Sequence, residues 1–271
     1  MIGAGLRTAG LIGLVIVFGA MGPATAAEPS DAWPDLARDV FNGRSIADGT
    51  GLIAIEMPDR AEDAGIVPVT LRATLPPGDT RVLKAFTLVI DENPAPVAAT
   101  FKVDGGLTMI STRVRVNSYT DVHAVAELSD GRLYVVKVYV KASGGCSAPM
   151  AKNAEEAKVN IGTMRMRQFA KPGTAPGSGL REAQIMVRHP NNSGLQRDQV
   201  SLLYIPVFIV QRLRVWQGDQ LVLEMDGGIS ISEDPNIRFS YRPNGAATFR
   251  AEAVDTEGHV FVGEWPVEPA T

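Results

Sequence analysis

The reactive side chain that stands out in this 271-residue sequence is its single cysteine, Cys146. It follows Gly144 and Gly145 and comes directly after the candidate strand Arg132–Lys141. Glycine opens backbone conformations that are closed to other residues, so we expect Cys146 on a solvent-exposed, flexible arm. A thiolate on such an arm can form a reversible bond to another sulfur atom.

Other uses of this thiol are open from the residues alone. It is equally an incidental surface thiol or the donor of an intermolecular disulfide, since one cysteine excludes an intramolecular disulfide. A Cys–His hydrolase is disfavoured, because it needs a thiol held rigidly beside a base. An exposed thiol is a liability in an oxidising compartment, which favours a functional use. On an exposed arm, Cys146→Ser should leave stability almost unchanged.

The remaining residues that could do chemistry are few. We expect His189 to be structural, and neither His123 nor His259 has a neighbour at the spacing typical of metal ligands. No metal and no cofactor are therefore expected. Arg113 and Arg115 alternate with apolar residues and are expected on the solvated face of a strand, with docking of an acidic partner as the alternative.

The composition limits the class of protein. Apolar residues make up 45% of the chain, which is ordinary for a folded protein. The 26 basic and 30 acidic residues give a formal net charge of −4. There is thus no basic excess to neutralise phosphates, and nucleic acid is not an expected partner. The 27 glycines and 18 prolines suit many short strands and turns better than a helical bundle.

Residues 1–26 have the pattern of a secretory signal peptide. Arg7 supplies the positive charge, Leu11–Ala20 is the apolar region, and Ala24-Thr25-Ala26 matches the cleavage pattern before Ala27. The apolar region has about ten residues, whereas a bilayer span needs about 20; a retained anchor is the alternative. We expect an exported, periplasmic protein with no membrane segment after cleavage.

The rest of the chain is dominated by short strand patterns. A short helix is expected over Pro34–Phe41. The strands expected before Cys146 are Leu52–Met57, Val69–Thr74, Val82–Ile90, Val97–Val103, Ile110–Asn117, Val122–Leu128 and Arg132–Lys141. Those expected after it are Thr163–Phe169, Ala183–His189, Ile205–Trp216, Gln220–Met225, Asn236–Tyr241, Thr248–Val254 and Val260–Trp265. The pattern predicts an all-β protein with two antiparallel β-sandwich domains, residues 35–142 and 160–268, joined by a flexible cysteine-bearing connector over residues 143–159.

Several segments resemble a known carrier. Gly144-Gly145-Cys146 resembles the swinging arm of the sulfur-oxidation protein SoxY, which ends in Gly-Gly-Cys-Gly-Gly. The segments Gly65–Val69, Glu92–Ala98 and Ser111–Arg115 also resemble SoxY. From about Thr163 the chain is similar to its partner SoxZ, in the stretches His189–Gly194, Tyr204–Pro206 and Gly228–Pro235. The whole resembles the fused SoxYZ-like carrier associated with quinoprotein dehydrogenases.

This resemblance implies immunoglobulin-like sandwiches and a carrier in place of an enzyme. Cys146 would hold thiosulfate-derived sulfur covalently, Gly144 and Gly145 would give the arm its flexibility, and the partners would be periplasmic redox enzymes of the Sox type or a quinoprotein dehydrogenase. The chain departs from SoxY in that Ser147-Ala148 replaces the second pair of glycines and a second domain follows. The alternative is a non-covalent docking module for a periplasmic quinoprotein dehydrogenase, in which Cys146 is dispensable.

Overall fold

The protein is described by a computed structural model that covers Met1 and residues 32–104, 106–149, 159–169 and 179–268. The predicted signal peptide, apart from Met1, and residues 150–158 of the predicted connector lie outside these described residues. The chain from Ala32 onward forms one compact unit. Within the described ranges no helix is long and apolar enough to cross a membrane.

The helix α1, Trp33–Val40, opens the described chain. Pro34 lies in its first turn, where the missing N–H costs nothing, and Asp35 and Arg38 are placed favourably for the helix dipole. Its apolar side packs on a small buried cluster, made of Phe41, Val89, Val125 and Leu133. The helix predicted over Pro34–Phe41 is therefore confirmed to within one residue.

Fifteen strands follow in the described residues. The first half of the chain, which we define as the residues up to Pro149, contains β1 (Ile46–Asp48), β2 (Ile53–Glu56), β3 (Val67–Ala73), β4 (Leu83–Ile90), β5 (Val97–Val103), β6 (Met109–Val114), β7 (Thr120–Leu128) and β8 (Leu133–Val140). The second half, from Val159 onward, contains β9 (Met164–Phe169), β10 (Arg181–Val187), β11 (Val210–Gln217), β12 (Gln220–Gly227), β13 (Asn236–Tyr241), β14 (Thr248–Asp255) and β15 (Val260–Pro266).

These strands form two sheets that face each other across one core. One sheet has nine strands in the order β1-β8-β7-β4-β5-β12-β11-β14-β15, and the other has six in the order β2-β3-β6-β13-β10-β9. The neighbouring strands are antiparallel except for β1, which runs parallel to β8. The predicted all-β sandwich class is confirmed. The three-residue strand β1 was not predicted, because it is too short to show an alternation.

Each sheet continues from the first half of the chain into the second. In the larger sheet β5 pairs with β12, with Val103 opposite Leu223. In the smaller sheet β6 pairs with β13, with Ile110 opposite Phe239. Both halves contribute to the same buried apolar cluster. The sequence predicted two sandwiches in contact, but it gave no sign that the two would share their sheets.

The core follows the predicted alternation. On β3, Val67, Val69 and Leu71 are fully buried while the residues between them are not. On β14, Phe249 and Ala251 are buried in the same way. Burial of one such large apolar side chain stabilises the fold by about 1.5–3 kcal/mol. The shared core therefore provides a rigid support for the segment that carries Cys146.

Candidate functional site

Cys146 lies in a tight turn at the end of β8, between the two halves of the chain. The backbone N–H of Gly144 donates to the carbonyl of Asn117 (2.7 Å), and that of Gly145 donates to the carbonyl of Val116 (3.1 Å). Within the turn, the N–H of Ser147 donates to the carbonyl of Gly144 (3.1 Å). We call residues 144–148 the cysteine turn.

The predicted exposure of Cys146 is wrong. Its relative solvent exposure is 0%, and it belongs to the buried residues of the protein. The prediction failed because Gly144 and Gly145 belong to a turn that is hydrogen-bonded to the first half of the chain, and not to a free arm. What remains a prediction is that this turn can leave its position.

Gly144 and Gly145 are each required in the turn, but for different structural reasons. Gly145 passes so close to the neighbouring backbone that a Cβ atom would lie 2.0 Å from the carbonyl oxygen of Ala64. Gly144 has space for a Cβ atom but adopts a φ of +75°, which side-chain-bearing residues rarely adopt. In this conformation both glycines allow the turn to pack closely against the first half of the chain. Their predicted role in arm flexibility is a separate property that this geometry leaves as a prediction.

The second half of the chain covers the cysteine turn. The hydroxyl of Ser193 donates to the backbone carbonyl of Cys146. The side-chain amide of Gln196 donates to the carbonyl of Ala148 (3.1 Å), and its oxygen accepts from the N–H of Ser193 (3.0 Å). We call residues 193–196 the cover. The two bonds from the cover to the turn join neutral groups, and such bonds contribute about 0.5–1.5 kcal/mol each.

Arg115 lies close to the cysteine turn, and the prediction of its position is wrong. It is only 2% exposed, so it does not occupy a solvated strand face. Strand β6 ends at Val114, and the chain beyond it no longer follows the alternation. The Arg115 guanidinium donates to the carbonyls of Ile229 (3.2 Å) and Ile231 in the second half. Arg115 therefore connects the two halves next to the cysteine.

A small cavity of about 60 Å³ adjoins this arrangement. It is lined by Arg115, Ala148 and Gln196, together with the carboxylate residues Asp63 and Glu233. A cavity of this size has room for water only. Cys146 is not among the residues that line it and is 0% exposed, so a group attached to its sulfur would require the cysteine turn to move.

The surroundings of Cys146 keep its thiol protonated. Burial raises the pKa of Cys146 above its ordinary value, and the positive charge of Arg115 offsets part of that rise. Burial in turn lowers the pKa of the Arg115 guanidinium, with Cys146 and Glu233 acting in the opposite direction. Because the thiolate is the nucleophilic form of cysteine, the closed turn holds the thiol in its unreactive form.

The burial also changes what substitution of Cys146 should do. Serine would place a hydroxyl where no water reaches, and an unpaired buried hydroxyl costs about 1–3 kcal/mol. The expectation that Cys146→Ser leaves stability unchanged therefore rested on the wrong environment. Alanine is the cleaner replacement, because it removes the sulfur without adding a polar atom.

The histidines have distinct neighbours. His123 is buried, with Nδ1 3.0 Å from Oδ1 of Asp91, and its ring stacks on that of Trp33 with centroids 3.7 Å apart. His189 and His259 instead approach one buried carboxylate, that of Asp255, at 3.7 Å and 2.8 Å. Over the described part of the chain, no group of three or more His, Cys, Asp or Glu side chains is arranged to hold a metal ion.

The contact between His189 and Asp255 was missed from the sequence, because 66 positions separate the two residues along the chain. Burial lowers the pKa of His189, and the charge of Asp255 and the hydrogen bond with Asn191 partly offset this. Asp255 also accepts backbone N–H bonds from Glu257 and His259, both at 2.9 Å. The group thus fixes the turn between β14 and β15, which supports a structural role for His189.

Sequence reasoning found Cys146 but missed the residues that control it. Arg115 was expected on the solvated face of a strand, but it follows the last residue of β6 and is buried. Ser193 and Gln196 had no signal of their own, although Ser193 lies in the stretch after His189 that was singled out for its resemblance. Their contacts depend on which loop of the second half packs on the cysteine turn, and this information is not carried by local sequence patterns.

Two protein-family models match the chain, one in each half. Residues 37–146 match the model described as sulfur oxidation protein SoxY, whose match ends at the cysteine itself. Residues 170–266 match the model described as sulphur oxidation protein SoxZ. The two matches lie in tandem and together cover most of the chain.

The search of solved structures adds two likenesses. The sulfur carrier protein SoxY from Chlorobium limicola f thiosulfatophilum is 25% identical, with a TM-score of 0.34, over 42% of this chain and 93% of that one. A superoxide reductase (neelaredoxin) from Ignicoccus hospitalis is 13% identical, with a TM-score of 0.30, over 40% of this chain and 90% of that one. No curated protein matches the sequence.

Proposed function

The chain belongs to the SoxYZ sulfur-oxidation family, as a SoxY-like domain fused to a SoxZ-like domain, and we propose that it is a covalent carrier with Cys146 as its attachment point. The observation that carries this proposal is the position of the cysteine. It is the single cysteine of the chain, and it ends the SoxY-like half at a turn covered by the SoxZ-like half.

The proposed cargo is thiosulfate-derived sulfur. Loading joins the Cys146 sulfur to the outer sulfur of thiosulfate, breaks the S–H bond and releases its proton to water. The two electrons lost in forming the S–S bond pass to a partner oxidoreductase, so the carrier itself performs no catalysis. Reduction or thiol exchange reverses the bond.

The closed turn suits the resting state of such a carrier. A thiol that is buried and protonated reacts slowly with oxidants and with stray disulfides. Loading then requires that Ser193 and Gln196 release the turn, after which the thiol meets water and its pKa falls towards the ordinary value of about 8.5. Reactivity is thus tied to opening of the turn.

We further propose that the protein works in the periplasm, where its partners are redox enzymes of the Sox type. A quinoprotein dehydrogenase is the more specific candidate, suggested by the resemblance of the fused chain. The apolar region at Leu11–Ala20 and the cleavage pattern before Ala27 support export. N-terminal sequencing of protein isolated from its host tests this point, and an N-terminus at Ala27 is the expected result.

Intact mass spectrometry of the protein isolated from its host tests the carrier function. We expect a population with an added mass on Cys146 that disappears after treatment with a reductant. The matched control is Cys146→Ala, which should fold and carry no adduct. An unmodified chain in cells that are oxidising thiosulfate would overturn the proposal.

A non-covalent docking module is the second candidate, and the burial of Cys146 favours it. In that case the thiol is only a packing residue, and the surfaces of the two halves do the work. Complementation of the host by Cys146→Ala separates the two functions. Full activity of the alanine variant assigns the docking function, whereas loss of activity in a folded variant supports the carrier.

A further inference from the structure

A groove of about 680 Å³ opens on the second half of the chain, beside the cover. Its walls come from the loop that follows Gln196 and from the ends of β14 and β15, with aromatic rings of Tyr204, Phe208 and Phe261 among them. Its size lies in the range of pockets that bury a small ligand or a few side chains. The carrier proposal assigns it no role.

Several polar groups of this groove are acceptors of hydrogen bonds or negative charges. Asp198 and Glu257 line it, and the carboxamide oxygen of Asn192 has no hydrogen-bond partner among the described residues, although Asn192 is only 9% exposed. No lysine or arginine is among the described residues that line the groove. Ser201 and His259 also line the groove, but the hydroxyl of Ser201 already donates to Asp198 (2.8 Å), and Nδ1 of His259 lies 2.8 Å from Oδ2 of Asp255.

Asp198 is ionised in this position. Hydrogen bonds from the backbone N–H and hydroxyl of Ser201, and from the N–H of Val200, hold the pKa of Asp198 below its usual value. Arg197 lies nearby, but its guanidinium already donates to the Tyr204 hydroxyl (3.1 Å) and lies over that ring. The groove therefore combines aromatic faces with negative charge, which is the chemistry that recognises an organic cation.

The apolar surface continues beyond the groove. Val200, Leu202 and Val207 do not line it, yet their relative exposures are 93%, 65% and 47%. Leu203 at the rim is also exposed. These four side chains belong to one loop of eight residues, and a cluster of exposed apolar side chains marks an interaction site. A small cation would leave these side chains in water, whereas a protein segment would cover them.

We propose that this groove is a docking site for a partner-protein segment that carries an arginine or lysine side chain between apolar residues. The basic side chain lies between the aromatic rings and the carboxylates, and donates to the oxygen of Asn192. The apolar neighbours of the basic residue cover Leu203 and the exposed side chains around it. This assignment is independent of whether Cys146 carries sulfur.

Peptide titration of the isotope-labelled full chain, followed by NMR, tests the proposal. The probes are the tripeptides acetyl-Leu-Arg-Phe-amide and acetyl-Leu-Glu-Phe-amide at up to about 5 mM, where a site of millimolar Kd is mostly filled. We expect the arginine peptide to shift resonances of Leu203, Tyr204 and His259 and to bind at least about 10-fold more tightly than the glutamate peptide, a difference of about 1.4 kcal/mol.

Variants of the chain locate the contact. Glu257→Lys and Asn192→Leu should each weaken binding of the arginine peptide several-fold. Glu264→Lys is the matched control, because it reverses an exposed carboxylate on β15 that does not line the groove, and it should bind as the wild type does. Dispersed NMR spectra establish that each variant is folded.

Four results of the titrations would overturn the proposal, and a fifth comes from sedimentation. These are equal binding of the two peptides, no shift with either peptide at the highest concentration, binding that Glu257→Lys leaves unchanged, and tetraethylammonium binding as tightly as the arginine peptide. The last would assign a small organic cation. Sedimentation of the free chain as a dimer that Leu203→Asp dissociates would assign a second copy of the chain, and would also overturn it.

Discussion

The cysteine turn packs against the cover, and the loop over residues 198–207 follows the cover along the chain. The two regions differ in the solvent exposure of their apolar side chains. The turn buries a sulfur that water could solvate, whereas the loop leaves Val200 and Leu203 in water although they could be buried. Burial of the thiol is ordinary, because cysteine is among the residues most often buried in folded proteins, whereas several exposed apolar side chains in one loop mark an interaction site. The exposed loop therefore fits a surface that a partner covers, and the function proposed for Cys146 rests on its position at the end of the SoxY-like half and not on its burial.

The largest effect in this comparison is expected for Arg115→Met. The substitution leaves the carbonyls of Ile229 and Ile231 without their buried donor, and each unsatisfied group costs about 1–3 kcal/mol. We therefore expect a loss of about 3 kcal/mol in the free energy of unfolding, measured by urea denaturation. A loss of this size would show that the contact between the two halves beside Cys146 depends on one buried cation.

Arg72→Met is the matched control for this measurement. Arg72 lies on the neighbouring strand β3 and pairs with Glu56 at the surface (2.8 Å). Exposed ion pairs contribute about 0–1 kcal/mol. If Arg115→Met loses no more than Arg72→Met, then the guanidinium does not hold the two halves together.

The next effect concerns opening of the turn. Replacing both Ser193 and Gln196 by alanine removes the two hydrogen bonds from the cover to the cysteine turn, each worth about 0.5–1.5 kcal/mol, together with the bonds that these side chains accept within the cover. Iodoacetamide should then alkylate Cys146 about 10- to 30-fold faster than in the wild type, because the open turn is more populated. Gln168→Ala removes a similar bond to the carbonyl of Pro266, far from the cysteine, and should not change the rate.

Equal alkylation rates in the wild type and the double variant would contradict this prediction, because the cover would then have no part in shielding the sulfur of Cys146. A wild-type thiol that reacts as fast as free cysteine would be more damaging still. It would mean that the turn is open in solution.

A smaller effect is expected from pH. The pKa of Cys146 is raised in the folded chain, while in the unfolded chain the thiol ionises at about 8.5. The unfolded state therefore releases its proton first, so the contribution of the thiol to stability is complete below about pH 8.5 and is lost as the pH rises towards the folded value. Cys146→Ala should lack this loss.

The measurement is the difference in unfolding free energy between the wild type and Cys146→Ala from pH 7 to pH 10. Taking the difference removes the contributions of lysines and tyrosines that titrate in the same range. The slope should reach at most about 1.4 kcal/mol per pH unit. Parallel curves would show that the thiol already meets water in the folded protein.

The smallest effect is expected on the exposed side of the comparison. Leu203→Asp should change the free energy of unfolding by no more than about 0.5 kcal/mol, because the side chain is 70% exposed. Thermal unfolding followed by circular dichroism measures this. A large loss would mean that Leu203 packs within the chain, and its exposure could not then be read as a surface for a partner.

The strands were predictable because alternation is a local property of the sequence. Val97–Val103 and Asn236–Tyr241 were predicted with the observed bounds, and the helix with an error of one residue. The pairing of β5 with β12 was not predictable, since it joins residues about 120 positions apart, such as Val103 and Leu223. Alternation shows which side of a strand is buried and not which strand lies beside it.

The candidate site was predictable in identity but not in environment. Cys146 was found because it is the single cysteine and follows two glycines. The same glycines misled on its exposure, because glycine serves close approach of two backbones as well as flexibility, and only the position of Ala64 decides between them. Arg115 misled because the alternation of β6 ends one residue before it.

The continuous sheets have a consequence for stoichiometry. When two subunits are separate chains, the assembled fraction depends on their concentrations and falls on dilution. Here the ladders between β5 and β12 and between β6 and β13 form within one molecule, where the local concentration of each half is set by the connecting chain. Each copy therefore holds one cysteine turn and one cover in equal number at any expression level, and none is left without its counterpart.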